Sequence, residues 1–121
     1  MSSDANNFEK FVGINIIEAK DGYAKTSLKV TKNHINHIGV AHGGLIFTLA
    51  DCAFAKAVNF EKRVGVAIQV DINFLKASHE GDILTAEAVR ISESKKLGLY
   101  HIKVYQKNEL IAFFSGLAYY T

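Results

Sequence analysis

The sequence predicts an α+β domain in which an antiparallel sheet packs on one long central helix. Three observations carry this. Residues 43–58, GGLIFTLADCAFAKAV, are apolar nearly all round, too long for a typical strand and free of proline. Residues 64–74, VGVAIQVDINF, alternate strictly, with Val64, Val66, Ile68, Val70, Ile72 and Phe74 on one face. Gly65, Ala67, Gln69, Asp71 and Asn73 take the other, which predicts a strand with one buried face. The remaining apolar segments are separated by short turns rich in Gly, Asn and Asp, and short turns join antiparallel neighbours.

Each element follows in order. Residues 4–12, DANNFEKFV, predict a short N-terminal amphipathic helix or arm within residues 1–12, with Asp4 as its N-cap and Phe8, Phe11 and Val12 on one side. INIIEA and YAKTSLKV flank Asp21-Gly22, a pair that favours a tight type I′ hairpin turn. Asn33 to Ile38 is polar and irregular, so a loop is expected there. In the helix that follows, only Thr48, Asp51 and Lys56 are strongly polar. After the 64–74 strand and a turn at Glu80-Gly81, ILTAEAVRI, GLYHIKVYQ and LIAFFSGLAYY predict further strands. The expected order is hairpin, helix, then three or four strands in a meander. A helix apolar all round cannot be covered by a flat sheet. The sheet must curl around it, or a second subunit must help.

Composition narrows the class. The 121 residues fit one domain spanning 1–121, and 49% hydrophobic content supplies a core rather than a disordered chain. Fourteen basic residues face twelve acidic ones with no basic run, which argues against a nucleic-acid partner. Cys52 is the only cysteine, so no intrachain disulfide can form, and a reducing compartment suits it. No stretch reaches the roughly 20 apolar residues of a membrane helix, and MSSDANNFEK has no signal-like core. A soluble cytoplasmic protein is the expectation.

The chemistry concentrates in residues 36–51, NHIGVAHGGLIFTLAD. Gly43 and Gly44 open the helix, where unpaired N–H groups and a partial positive charge favour a developing oxyanion. The absence of side chains lets a carbonyl oxygen come close, though a tight loop-to-helix junction would need the same residues. Asp51 is costly in a buried helix without a partner or a purpose, so it is either a structural acid or a reactive one. It lies about 12 Å along the axis from Gly43, at 1.5 Å rise per residue, and one chain cannot easily bring both to one carbonyl. Thr48, one turn earlier, could bond Asp51 or its own helix backbone. His42 could orient the loop or act as a base. His34, His37 and His42 match no standard zinc spacing, and no metal is expected. Cys52 points about 100° away from Asp51 and suits a buried, inert thiol. Phe47, Phe54, Phe60 and Phe74 are core or an aryl pocket, and Lys76, Arg90, Lys95 and Lys96 are surface charge or phosphate contacts.

Asn36, Gly39, His42-Gly43-Gly44, Leu49-Ala50-Asp51 and Ala57-Val58-Asn59, followed by Asp71-Ile72-Asn73-Phe74-Leu75 and Glu80-Gly81-Asp82, resemble the hotdog-fold thioesterases of the PaaI-like, phenylacetic-acid-degradation type. The resemblance spans roughly residues 10–120 and implies a curved sheet wrapped around one central helix. It departs at Lys76-Ala77, where the family often has Arg-Pro. It implies an acyl-CoA thioesterase acting on an aryl-acetyl or medium-chain substrate, with no cofactor beyond the coenzyme A of the substrate. It also implies dimers with interface active sites, commonly paired into homotetramers. By the same resemblance Gly43 N–H holds the oxyanion, Asp51 of the partner subunit is nucleophile or general base, and Asn36 places the water or thioester. His42, Gly44, Thr48 and Gln69 contact substrate. Two other readings stay open: a hydratase-dehydratase of acyl thioesters, pairing a His with an acid, and a non-catalytic acyl-CoA binding module.

Overall fold

The computed structural model describes residues 5–121, so Asp4 lies outside the described residues. Helix α1 spans Asn7–Val12, strands β1 and β2 span Asn15–Lys20 and Tyr23–Lys29, and helix α2 spans Gly43–Val58. Strands β3 (Gly65–Phe74), β4 (Ile83–Glu93), β5 (Leu97–Gln106) and β6 (Glu109–Tyr120) complete one six-stranded antiparallel sheet in the order β1-β2-β4-β5-β6-β3. The helix over 43–58 forms as the sequence predicts. The meander holds only for β4-β5-β6, because β3 crosses to the far side and pairs with β6 rather than with β4.

The core is the contact of α2 with the concave face of the sheet. Leu45, Leu49, Ala53, Phe54 and Ala57 of α2 are buried. They meet Ala24 and Leu28 of β2, Leu84, Ala86 and Ala88 of β4, and Tyr100, Ile102 and Phe114 beyond. Burial of each large side chain contributes about 1.5–3 kcal/mol. The alanines on both surfaces let backbone approach backbone. Thr26 Oγ1 donates to the Leu49 carbonyl at 3.2 Å, and Gly22 N–H donates to the Ala57 carbonyl at 3.1 Å.

Three local expectations are corrected. The Asp21-Gly22 turn is not type I′, since only Gly22 has positive φ (79°) and that type requires it at both positions. Tertiary bonds decide here. Gly22 is held between the end of α2 and β4, where Arg90 N–H donates to its carbonyl and the Arg90 side chain pairs with Asp21 at 2.9 Å. Helix α1 is capped by Asn6, which forms a reciprocal capping box with Glu9. Its buried residue is Glu9, while Phe8 and Phe11 are exposed.

The third correction concerns β3. Its register slips between Ala67 and Gln69, leaving Ile68 as a bulge. Before the bulge Val66 pairs with Tyr119; after it Val70 pairs with Gly116 and Ile72 with Phe114. Gly116 and Phe114 are on the concave face and Tyr119 on the convex one. The apolar residues of the strand therefore divide between two faces, and Val66, Ile68 and Phe74 are all exposed in the single chain.

Gly116 shows how tightly α2 nests. A Cβ there would lie 2.7 Å from the Phe54 ring. Gly116→Ala is expected to destabilise the protein by about 1–3 kcal/mol through overpacking, read as a lower midpoint in denaturant with unchanged slope.

Candidate active site

The loop before α2 is fastened by its own side chains. Asn36 Oδ1 accepts from Ile38 N–H (3.0 Å) and Val40 N–H (3.2 Å), Gly39 takes φ 91°, and Ile35 bridges to Ala41. His42 N–H then donates to the His34 carbonyl at 2.8 Å, which delivers the chain to the start of the helix. His34 is itself engaged, its Nδ1 accepting from Thr31 N–H and its Nε2 lying 2.9 Å from the Val12 carbonyl oxygen. The His42 ring caps the helix, with Nδ1 accepting from Gly44 N–H at 2.8 Å. His42 is thus an orienting residue. Gly43 N–H, at the first helical position, has no acceptor among the described residues.

Gly44, Thr48, Asp51 and Ala55 follow one another at spacings of four, three and four residues, so they form one stripe along α2. Gly44 is exposed and the others are half-buried, which makes this the side of the helix that its own sheet leaves open. Thr48 Oγ1 donates to the Gly44 carbonyl at 2.7 Å, so its hydroxyl serves the helix rather than Asp51. Among the described residues, no side chain bonds to Asp51 or pairs with it. Burial pushes its carboxyl above the ordinary 3.8, and the charge of Glu9 pushes the same way.

Glu9 is the site residue that sequence reasoning missed. It is 6% exposed and pairs with Lys56 of α2 at 3.5 Å, pinning α1 beside the Asp51 turn. Its N-x-x-E position signalled a capping box, and the box forms; its burial depends on Lys56, far along the chain. Burial and the Glu9 carboxylate also push the Cys52 thiol up, so the thiol stays protonated and inert.

Two cavities flank the start of α2. One, about 800 Å³, is lined by Phe8, Phe11 and Val12 of α1 together with Gly44, Leu45 and Thr48 of α2. The other, about 300 Å³, borders Gly43, Ile46, Phe74 and Lys76. Of the remaining candidates, Gln69 pairs with Leu117 on the convex face, away from the stripe of its own chain. Phe54 is core, and Phe47 packs on Phe114. Arg90 is committed to Asp21, and Lys76 pairs with Glu109 at 2.5 Å. One chain therefore gathers Asn36, His42, Gly43 and Gly44 at one end of α2, and leaves Asp51 about two turns away.

The chain and its fold match a known family. A family model described as Thioesterase superfamily matches residues 38–112. Among the relatives, an esterase-like protein of Archaeoglobus fulgidus is 44% identical over 105 residues, covering 86% of this chain and 68% of its own length. The acyl-coenzyme A thioesterase PaaI of Escherichia coli K12 is 38% identical, covering 88% of this chain and 77% of its own. The solved structure of E. coli PaaI matches with a TM-score of 0.92 at 34% identity, over 96% of this chain and 85% of that one. A hypothetical thioesterase of Streptococcus pneumoniae solved with coenzyme A matches with a TM-score of 0.85 at 25% identity, over 90% and 89%. The chain belongs to the thioesterase superfamily. Within it, the fold is the hotdog fold and the chain is of the PaaI-like type.

The state of Asp51 has a consequence for stability. An acid whose folded pKa is raised costs the native state stability as pH rises from the unfolded value, 3.8, and the cost grows until pH passes the folded one. Asp51→Asn is therefore expected to melt at a higher temperature than the parent at pH 7, with the difference closing near pH 3.5. Calorimetric scans of both chains at the two pH values check this.

Proposed function

We propose that the protein hydrolyses acyl-CoA thioesters of aryl-acetyl or medium-chain acids to the free acid and coenzyme A. The observation that carries this is the half-buried Asp51 on the open stripe of a helix whose first N–H, like Asp51 itself, has no partner among the described residues. Gly43 N–H, at the positive end of α2, receives the carbonyl oxygen as it becomes an oxyanion. Asp51 of the other subunit either takes a proton from water, which attacks the carbonyl, or attacks the carbonyl itself. The tetrahedral intermediate collapses with cleavage of the C–S bond, and the coenzyme A thiolate leaves and takes a proton from the Asp51 carboxyl or from solvent. On the second route water then hydrolyses the acyl-Asp51 anhydride, which frees the acid and restores the carboxylate. Asn36 holds the loop that presents Gly43, and Gly44, Thr48 and His42 border the substrate. The His42 lone pair is spent on Gly44 N–H, which weighs against a hydratase that needs a free imidazole base.

The acting unit is a homodimer. Strand β3 is a sheet edge with exposed Val66 and Ile68, and the stripe of α2 is open, so a second copy has both a strand edge and an apolar surface to cover. On the convex face Val66, Tyr119 and Leu97 stand in one cross-strand row, all exposed, which supports pairing of dimers into a homotetramer. The protein works in the cytoplasm, where a lone thiol such as Cys52 stays reduced, and needs no metal or cofactor beyond the coenzyme A of its substrate.

Thiol release from phenylacetyl-CoA, followed with a thiol reagent, tests the activity. Asp51→Asn is expected to lower kcat by about 10² or more with the fold retained, and near-parental turnover would sink the assignment. Gly43→Pro removes the N–H at a position that tolerates proline, since His42 already has the extended backbone (φ −62°, ψ 137°) that a residue before proline needs. Its kcat is expected to fall by about 10²–10³.

Mixing the two dead chains probes the shared site. A mixed dimer holds one site with an intact Asp51 and an intact Gly43, so random reassortment restores about a quarter of parental activity. No recovery after verified subunit exchange would place both residues in one chain's site.

A further inference from the structure

Helix α1 is built with its charge inside and its aromatic rings outside. Glu9 is 6% exposed, whereas Phe8 is 61% and Phe11 87% exposed. A helix of six residues ordinarily depends on its apolar face for docking. This one docks through the Glu9–Lys56 pair, the Asn6 cap and Val12. A buried ion pair adds little stability but fixes orientation. The orientation it fixes turns Phe8 and Phe11 into one wall of the 800 Å³ cavity whose other wall is Gly44, Leu45 and Thr48 of α2.

A thioester seated at the start of α2 has two unlike arms. The coenzyme A arm is long, polar and anionic; the acyl arm is compact and apolar. The flanking cavities differ in size and in aromatic content. Each has a lysine in its lining, Lys76 (paired with Glu109) in the smaller and Lys29 in the larger, but only the larger carries Phe8 and Phe11 and a volume suited to enclosing an organic group. Resting on the thioesterase reading above, we infer that the larger cavity receives the acyl group and that Phe8 and Phe11 are specificity-determining residues selecting aryl-acyl over short aliphatic thioesters. Ring-on-ring contact with an aryl group exceeds what the same area of methyl contact gives.

The test compares kcat/KM for phenylacetyl-CoA and acetyl-CoA in the parent, in Phe8→Ala/Phe11→Ala and in Phe8→Tyr/Phe11→Tyr. The alanine pair is expected to lower the phenylacetyl-to-acetyl preference about tenfold or more, and the tyrosine pair to keep it. An equal loss on both substrates, or an unchanged ratio, overturns the inference. So does dissociation of the oligomer on size exclusion, since the rings would then cover a second copy. Calorimetric titration of the Asp51→Asn chain with phenylacetyl-CoA separates this inference from the hydrolytic reading. Binding weakened about tenfold by the alanine pair upholds the acyl pocket even where no thiol is released, and unweakened binding refutes it.

Discussion

A helix with apolar side chains on nearly every side cannot sit against a flat surface. α2 is such a helix, and the rest of the molecule answers to it. The sheet bends so that β2, β4, β5 and β6 all reach α2, and their inward positions are filled with alanine where the helix comes nearest. The close approach in turn makes the backbone bonds from β2 and the hairpin turn to Leu49 and Ala57 possible. Wrapping stops short of closure, and the strip it leaves bare carries Gly44, Thr48 and Asp51. The site is thus what remains when one sheet has covered as much of one helix as its curvature allows.

The polar economy of the molecule follows from that geometry. His42 satisfies Gly44 N–H, Asn36 satisfies two loop amides, and Thr48 returns to its own helix. Glu9 and Lys56 satisfy each other out of water. Among the described residues the buried Ser78 hydroxyl has no partner, and on α2 Gly43 N–H and the Asp51 carboxylate stand unpaired at separate levels of the same helix. Under the proposed reading, the two on α2 are the groups that meet the substrate oxygen and the neighbouring subunit's site.

The helix and most strands were legible because their signals are local. Sixteen residues without proline, bounded by Gly43 and Asn59, admit one reading, and Asp51 stands out as an acid among Leu, Ala and Phe. The strands β4, β5 and β6 are bounded by turns whose residues announce them. What escaped was set by distant partners. The Asp21-Gly22 turn is shaped by Ala57 and Arg90, not by its own dipeptide preference. The inverted face of α1 depends on Lys56 of another helix. The place of β3 beside β6 is a matter of topology, which alternation does not record. Gly43 was legible as a bare N–H at a helix start, whereas Asn36 entered only through the family motif; its side chain turns out to hold the loop amides of Ile38 and Val40.

The bulge at Ile68 reaches beyond this chain. Hydropathy alternation counts residues, and a sheet counts pairs; one inserted residue puts the two counts out of step for the rest of the strand. Position Gln69 sits immediately past that slip. When roles are carried between relatives, matching columns will assign an inward residue to an outward one wherever one homologue has the bulge and another lacks it. For this strand the sound ruler is the β6 partner, with Leu117 opposite Gln69 and Gly116 opposite Val70. Divergence at a single insertion point can thereby change which residues two subunits exchange while leaving composition, length and motif nearly untouched.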